Sequence, residues 1–166
     1  LVSRHPRDSF TLATKLNAGF FDTLEGRDDI FNQQLEKTGA GYFDYYLLHG
    51  IDSGSYQKFE DLDCFRWLMD KKEQGLVRSP GFSFHGDAPL LDDILSKHRE
   101  LEFVQLQINY LDWDSQWIQS RACYEAAVKH NKPVIVMEPV KGGTLAQVPA
   151  QVRSLFQARS PQASPA

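Results

Sequence analysis

Short apolar runs alternate with longer amphipathic segments along the whole chain. Apolar runs bounded by turn residues predict five buried strands, at residues 10–16, 44–52, 81–85, 103–109 and 133–137. Apolar residues at helical spacing predict helices at residues 28–38, 56–74 and 115–130. A further helix is predicted to open at Asp87, and a weaker one carries Leu155 and Phe156. The chain therefore reads as a strand followed by a helix, repeated.

This alternation predicts right-handed βαβ units and a parallel sheet. The units recur roughly every 30 residues, close to the about 31 residues per unit of an eight-unit barrel of about 250 residues. The predicted fold class is α/β, a partial (β/α)8 TIM barrel with about five βα units. A doubly wound sheet also fits five units. The barrel is favoured because polar residues occupy alternate positions near the strand ends, and in a sheet buried on both faces each would cost on the order of 1–3 kcal/mol.

Composition and charge exclude several classes of function. The 166 residues predict one domain, residues 1–166, and the net charge of −4 comes without any Lys/Arg block. Nucleic acid and anionic membrane are therefore poor partners, and no apolar stretch reaches transmembrane length. Cys64 and Cys123 are far apart, which indicates neither a disulfide framework nor a metal site, and a reducing cytoplasm is the expected setting. The chain opens on Leu1 rather than on methionine, which suggests a fragment.

Polar side chains stand at or near the carboxyl end of every predicted strand. They are Lys15, His49, Ser83 with His85, Gln107 with Asn109, and Glu138. Each one alone has an ordinary structural explanation, such as a strand-capping histidine or a solvated turn residue. In a parallel barrel, however, these ends meet at one mouth, where catalytic residues gather from different strands. Taken together they predict an active site.

The residue types narrow the chemistry at this mouth. The chain has no carboxylate pair of the glycosidase kind, no H-E-x-x-H or Cys/His metal cluster, no G-x-S-x-G elbow and no P-loop. A G-x-G-x-x-G motif is missing too, so a nucleotide would not be held in the Rossmann manner. A lysine that lowers a neighbour's pKa and a histidine that donates to a carbonyl oxygen suit carbonyl reduction. The rival is a Schiff-base barrel aldolase that uses Lys15.

Five motifs give the chain a resemblance to the aldo/keto reductases over nearly its whole length. They are ATK at 13–15, DYYLLH at 44–49, GFS at 81–83, QLQINY at 105–110 and EPVKGG at 138–143. The chain is most similar to a bacterial and archaeal branch that often bears a C-terminal iron–sulfur tail. The resemblance implies a (β/α)8 barrel that transfers a hydride from NADP(H), with NAD(H) as the alternative, to a small-molecule aldehyde or ketone. An iron–sulfur cluster would belong to a C-terminal part outside this chain.

The resemblance also implies roles for the strand-end residues. Lys15 would match the catalytic lysine that lowers the pKa of a tyrosine acid, and His49 the histidine that orients the substrate carbonyl. Ser83 and Gln107 would match the pair that hydrogen-bonds the nicotinamide carboxamide.

The last predicted strand and its turn would carry the rest of the cofactor site. Met137 occupies the place where the family often stacks an aromatic ring on nicotinamide. Glu138, Val140 and Gly142 would lie along the ribose and phosphates, and Gly142 would let backbone N–H groups approach those oxygens.

The chain also departs from the family pattern. The tyrosine acid and the aspartate that pairs with the lysine come from the first two strand ends, and this chain corresponds to strands three to seven. The fragment alone is therefore expected to be inactive. A non-catalytic barrel subunit that senses the cofactor is a further alternative.

Overall fold

Five parallel strands form one sheet in the computed structural model, which describes residues 2–164. The strands are β1 Ala13–Asn17, β2 Phe43–Ile51, β3 Val77–Phe84, β4 Phe103–Gln107 and β5 Val134–Met137. Their order in the sheet is their order in the chain, and every neighbouring pair is parallel. Because parallel crossovers are right-handed, this order places the helices on one face, as in a barrel. A doubly wound sheet would reverse its strand order, so the predicted partial barrel is confirmed.

Within residues 2–164, six α-helices connect or follow these strands. They are α1 Leu24–Thr38, α2 Tyr56–Asp61, α3 Cys64–Glu73, α4 Ala88–Lys97, α5 Ser120–Lys129 and α6 Ala150–Arg159. Helix α1 begins four residues before the predicted start, because the Thr23 hydroxyl accepts a hydrogen bond from the Gly26 N–H and caps the first turn. It ends as predicted at Thr38, and Gly39 follows in the left-handed conformation typical of that position.

The single helix predicted for residues 56–74 is wrong, because the chain breaks between α2 and α3. Asp63 adopts a left-handed conformation with φ 49°. The buried Arg27 guanidinium donates to the Leu62 carbonyl at this break. A tertiary hydrogen bond from α1 thus replaces a bond of the helical ladder, and the apolar spacing alone does not reveal it.

Strand boundaries differ from prediction mainly at β3, which starts at Val77 rather than residue 81. Pro80 consequently lies inside a strand and not at its first residue. Pairing between β3 and β4 begins one residue later, at Gly81 with Phe103. The N–H that Pro80 lacks therefore removes no hydrogen bond from the β3–β4 ladder. The Pro80 carbonyl still accepts from the Glu102 N–H at 2.9 Å.

The other boundaries shift by a few residues. β1 runs three residues later at its start and one later at its end than predicted, and β4 stops two residues earlier, at Gln107. His85 and Asn109 therefore follow their strands instead of belonging to them. Turns occupy most of residues 110–119, so α5 starts at Ser120 rather than at residue 115.

Side chains alternate between the two faces of the sheet. Leu16, Tyr46 and Phe82 point toward the helices and are fully buried. On the opposite face a Cβ on Gly81 would lie 2.6 Å from the Phe103 ring, so only glycine lets that ring cross β3. The Tyr45 ring packs edge-on against Phe103 at 5.5 Å. These two aromatic rings form the floor of the open face.

The helices are joined by a recurring carboxylate contact. Asp28, Glu60 and Asp92 lie on α1, α2 and α4 at an equal spacing of 32 residues. Each carboxylate accepts hydrogen bonds from residues farther along the helical layer: Asp28 from Trp67 and Lys71, Glu60 from His98, and Asp92 from His130 and Lys129. Successive βα units are therefore joined on the helical side by similar carboxylate hydrogen bonds.

Asp44 fastens the amino-terminal edge of the sheet. Its carboxylate is 6% exposed and accepts from the Leu12 N–H at 2.8 Å, from Arg7 at 2.7 Å and from Arg78 at 3.0 Å. Burial acts to raise the pKa of Asp44, but these hydrogen bonds and the two guanidinium charges outweigh it and hold the pKa below its ordinary value. The ionised group thus ties the segment before β1 to β2 and β3.

We expect Asp44→Asn to destabilise the fold by about 2 kcal/mol at neutral pH, since hydrogen bonds to a charged group are lost. The pKa is lower in the folded state, so the stabilisation is present above about pH 4 and is lost as pH falls through the folded pKa. Urea unfolding across this range should show the deficit of the variant shrinking at low pH. Asp70→Asn, which removes an exposed ion pair with Arg66, is the control and should change stability by less than about 0.5 kcal/mol.

Candidate active site

The register of the strands brings two predicted catalytic residues to the open face. Lys15 pairs with Leu47 and Asn17 pairs with His49, so Lys15 and His49 lie two residues apart in register on neighbouring strands. Lys15 stands in the middle of β1 rather than at its end, because the strand continues to Asn17. The backbone of Lys15 thus lies two residues before the level of His49, which is closer to the carboxyl edge of the sheet.

Lys15 contacts a residue that the sequence did not single out. Its Nζ donates to Oε1 of Gln105 at 2.5 Å, across the widths of β2 and β3. Burial lowers the pKa of Lys15, and its only side-chain partner among residues 2–164 is this neutral oxygen. Because an ammonium group only donates, the oxygen of Gln105 must face Lys15, and its NH2 group points elsewhere. The alternation of apolar and polar residues in β4 could have identified Gln105, since it places Gln105 on the same face as Gln107.

Asn17 fixes the protonation of His49. The Asn17 Oδ1 accepts from the Gly19 N–H at 2.7 Å, so its NH2 group faces Nδ1 of His49 at 3.0 Å. Nδ1 must then accept, and the ring proton of the neutral imidazole resides on Nε2. Burial, followed by the charges of Lys15 and His85, lowers the pKa of His49 below 6.5. At neutral pH the ring is therefore an uncharged Nε2–H donor.

Ser83 lies beneath this surface instead of lining it. Its side chain is fully buried, and Oγ accepts from the Gly50 N–H at 2.8 Å. Gly50 has φ 67°, and the register between β2 and β3 shifts just before Ile51. Ser83 therefore secures the backbone that follows His49, and its role in cofactor binding stays a prediction.

Gln107 belongs to a second polar cluster, centred on Asp112. Asp112 is 6% exposed and accepts from the Gln107 Nε2 at 3.0 Å, from the Asn109 Nδ2 at 2.9 Å and from the Lys141 Nζ at 2.6 Å. The hydrogen bonds from Lys141 and Asn109 lower the pKa of Asp112 most, so the group is ionised at neutral pH. Sequence reasoning assigned Asp112 no role, because Asp112 lies in a turn after β4 whose path no sequence pattern predicts.

The turn after β5 carries the remaining predicted residues. Glu138 and Lys141 adopt left-handed conformations with φ 53° and 48°, as do Gly142 and Gly143 with 63° and 94°. A Cβ on Gly142 would meet nothing within 4 Å, so its backbone borders open space. Met137 and Val140 are half-buried, while Glu138 is exposed. The Glu138 carbonyl accepts from the Asn109 amide at 3.3 Å, which places the turn at the same rim as β4.

The open face therefore offers a neutral imidazole donor, an amine with a lowered pKa and two oppositely oriented amides. These groups suit the polarisation of a carbonyl oxygen. Within residues 2–164 no three His, Cys, Asp or Glu side chains are grouped as metal ligands. Nor does that part of the chain contain a helix that is long and apolar enough to cross a bilayer.

Fold and site together define an α/β barrel protein whose functional groups sit at the carboxyl edge of a parallel sheet. The sequence profile described as Aldo/keto reductase family matches residues 1–162. A curated "Aldo-keto reductase" from Mycolicibacterium vanbaalenii is 35% identical over 111 residues, which are 64% of this chain and 35% of that protein. The chain belongs to the aldo/keto reductase family, a family of oxidoreductases, as the sequence predicted.

Solved structures share the fold at lower identity. The crystal structure of an aldo/keto reductase from Brucella melitensis superposes with a TM-score of 0.72 at 21% identity, covering 98% of this chain and 57% of that one. A Gox0644 mutant in complex with NADPH gives 0.73 at 19% identity, covering 98% and 55%. The chain thus spans little more than half of these structures, and 35% of the curated relative.

We expect Lys15→Met to raise the pKa of His49, because the substitution removes a positive charge that opposes protonation of the ring. Titration of the His49 ring protons by NMR measures this shift. Lys37→Met makes the same change of charge on the exposed surface of α1 and should leave the titration where it is. An unaltered His49 titration in Lys15→Met would contradict the proximity of the two groups.

Proposed function

We propose that this chain forms the lysine–histidine part of the active site of an NAD(P)H-dependent reductase of aldehydes or ketones. The observation that carries the proposal is the state of His49, a neutral ring with its proton on Nε2, next to Lys15. A neutral donor can hold a carbonyl oxygen in place without delivering a full positive charge. It thereby orients the carbonyl carbon for attack.

Lys15 would act on an acid that the family resemblance assigns to strand ends outside this chain. A nearby ammonium group favours the phenolate over the phenol and so lowers the pKa of a tyrosine. Within residues 2–164 the side-chain partner of Lys15 is the neutral oxygen of Gln105. The aspartate that the resemblance pairs with the lysine would come, like the tyrosine, from strand ends outside this chain.

NADP(H) is the proposed cofactor, with NAD(H) as the alternative, and the residues present fit it. A carboxamide group has one acceptor and one donor side, and Gln105 and Gln107 offer an NH2 group and an oxygen on the same face of β4. The open backbone at Gly142 suits close approach of phosphate oxygens. When bound, the cofactor would supply the hydride. Met137, Glu138 and Val140 remain predicted neighbours of it, and so does Ser83.

The structure of a Gox0644 mutant in complex with NADPH, which shares this fold, supports NADP(H) as the proposed cofactor. The proposed partner is a small-molecule carbonyl substrate, and the proposed location is the cytoplasm. An iron–sulfur cluster stays a prediction for residues outside this chain.

A Schiff-base aldolase is the second candidate, and Lys15 itself is the observation that favours it. Its pKa is lowered by burial, and its hydrogen-bond partner is a neutral amide oxygen. The pKa lowered by burial raises the fraction of free amine, which is the form that attacks a carbonyl carbon. The cofactor-sensing subunit differs from the reductase only in lacking turnover.

We expect Lys15→Met to lower carbonyl reduction by the complete barrel by at least about 100-fold, since the acid loses the charge that activates it. Affinity for NADPH should stay within about threefold, because Gln107 and the turn after β5 are held by Asp112 and do not depend on Lys15, although Gln105 loses its ammonium partner. NADPH oxidation with a panel of aldehydes and NADPH fluorescence measure the two quantities, with Lys37→Met as the control. Undiminished turnover in Lys15→Met would refute the role of Lys15.

Borohydride trapping separates the reductase from the aldolase. In the reductase, incubation with an aldehyde and sodium borohydride should label Lys15 no more than the exposed Lys37, as peptide mass spectrometry can show. Substrate-dependent labelling that is selective for Lys15 would instead establish a Schiff base.

A further inference from the structure

We propose that Asp112 is a positioning residue that holds both Gln107 and the turn after β5 in the arrangement that receives NADP(H). The inference rests on the proposed function. It goes beyond it by assigning a positioning role to Asp112, which acts through Gln107 and Lys141.

The first support is the surroundings of Asp112. The residue is 6% exposed and takes hydrogen bonds from Gln107, Asn109 and Lys141. Its own backbone N–H donates to the Asn109 Oδ1 at 2.9 Å, so the loop that carries it is locally fixed. A buried carboxylate that is satisfied in this way is costly to rearrange.

The second support is the orientation of Gln107. An ionised carboxylate only accepts, so the NH2 group of Gln107 must face Asp112 and its oxygen must face away. In residues 2–164 that oxygen has no hydrogen-bond partner within the protein, and Gln107 lines a cavity together with His85 and Trp117. It is therefore free to accept a hydrogen bond from the NH2 of a ligand carboxamide.

The third support is the attachment of the turn. The ammonium group of Lys141 contacts both oxygens of Asp112, at 2.8 and 2.6 Å. Two further bonds tie the same turn to the residues after β4: Asn109 to the Glu138 carbonyl, and the Tyr110 hydroxyl to the Leu145 carbonyl. Lys141 is thus committed to Asp112 and holds the neighbouring glycines in place.

The test compares NADPH with 2′-phosphoadenosine 5′-diphosphoribose, which has the same phosphates but no carboxamide. Asp112→Asn should weaken NADPH binding about tenfold, because Lys141 loses its counter-charge and Gln107 can reverse its amide. The loss for the second compound should be smaller, since only the turn matters to it. A merely structural role would not change the ratio of the two affinities. Fluorescence and calorimetric titrations measure both.

The matched control is Asp114→Asn, two residues away, which removes the exposed ion pair with Arg121 and should alter neither affinity. Lys141→Met tests the turn at its half-buried lysine and should weaken both ligands even if Asp112→Asn folds poorly. The double variant Asp112→Asn/Lys141→Met should bind the second compound no worse than the weaker single variant, if the two residues act as a pair.

Two outcomes overturn the proposal alone: unchanged NADPH affinity in Asp112→Asn and Lys141→Met, or equal losses for both compounds in Asp112→Asn. A wild-type protein that binds neither compound would instead refute the proposed function, and this inference with it.

Discussion

The site depends on one constraint, which is that helices cover only one face of the parallel sheet. A strand turns successive side chains to opposite faces, so a polar residue is tolerated at every second position on the uncovered face. Lys15, Asn17 and His49 all occupy such positions, and so do Gln105 and Gln107. The intervening residues Leu16 and Leu48 point to the opposite face and are fully buried under the helices. The same alternation therefore produces both the core and the site.

Charges of opposite sign then orient the two glutamines of β4. Lys15 can only donate and draws the oxygen of Gln105, whereas ionised Asp112 can only accept and draws the NH2 group of Gln107. An amide alone has two orientations of nearly equal energy. A charged neighbour selects one orientation, and for Lys15 this places a partly buried charge beside a neutral group. The lowered pKa of Lys15 reflects this burial.

Much of the fold could be predicted from the sequence, but only part of the site. Periodicity identifies five strands, because the short apolar runs of buried strands differ from the spaced apolar residues of amphipathic helices. It fails where tertiary contacts decide, as at Leu62, whose carbonyl receives Arg27 from another helix. The positions of Lys15 and His49 on one face could be predicted because both stand on strands, where the register is regular. Asp112 could not, because its turn is shaped by its own side-chain bonds to Asn109 and by Lys141, 29 residues later.

The division of labour between strands and turns follows from their rigidity. Hydrogen bonds to neighbouring strands hold the backbone at Lys15, His49 and Gln105. Such a rigid backbone suits side chains that must be placed accurately against a reacting atom. The turn after β5 lacks a ladder, and four of its residues, Glu138, Lys141, Gly142 and Gly143, adopt left-handed conformations. Such a segment keeps its shape only if side chains fasten it. Asp112 is buried, charged and bonded to both β4 and the turn, so together with the bonds from Asn109 and Tyr110 it connects the turn to the regular part of the sheet.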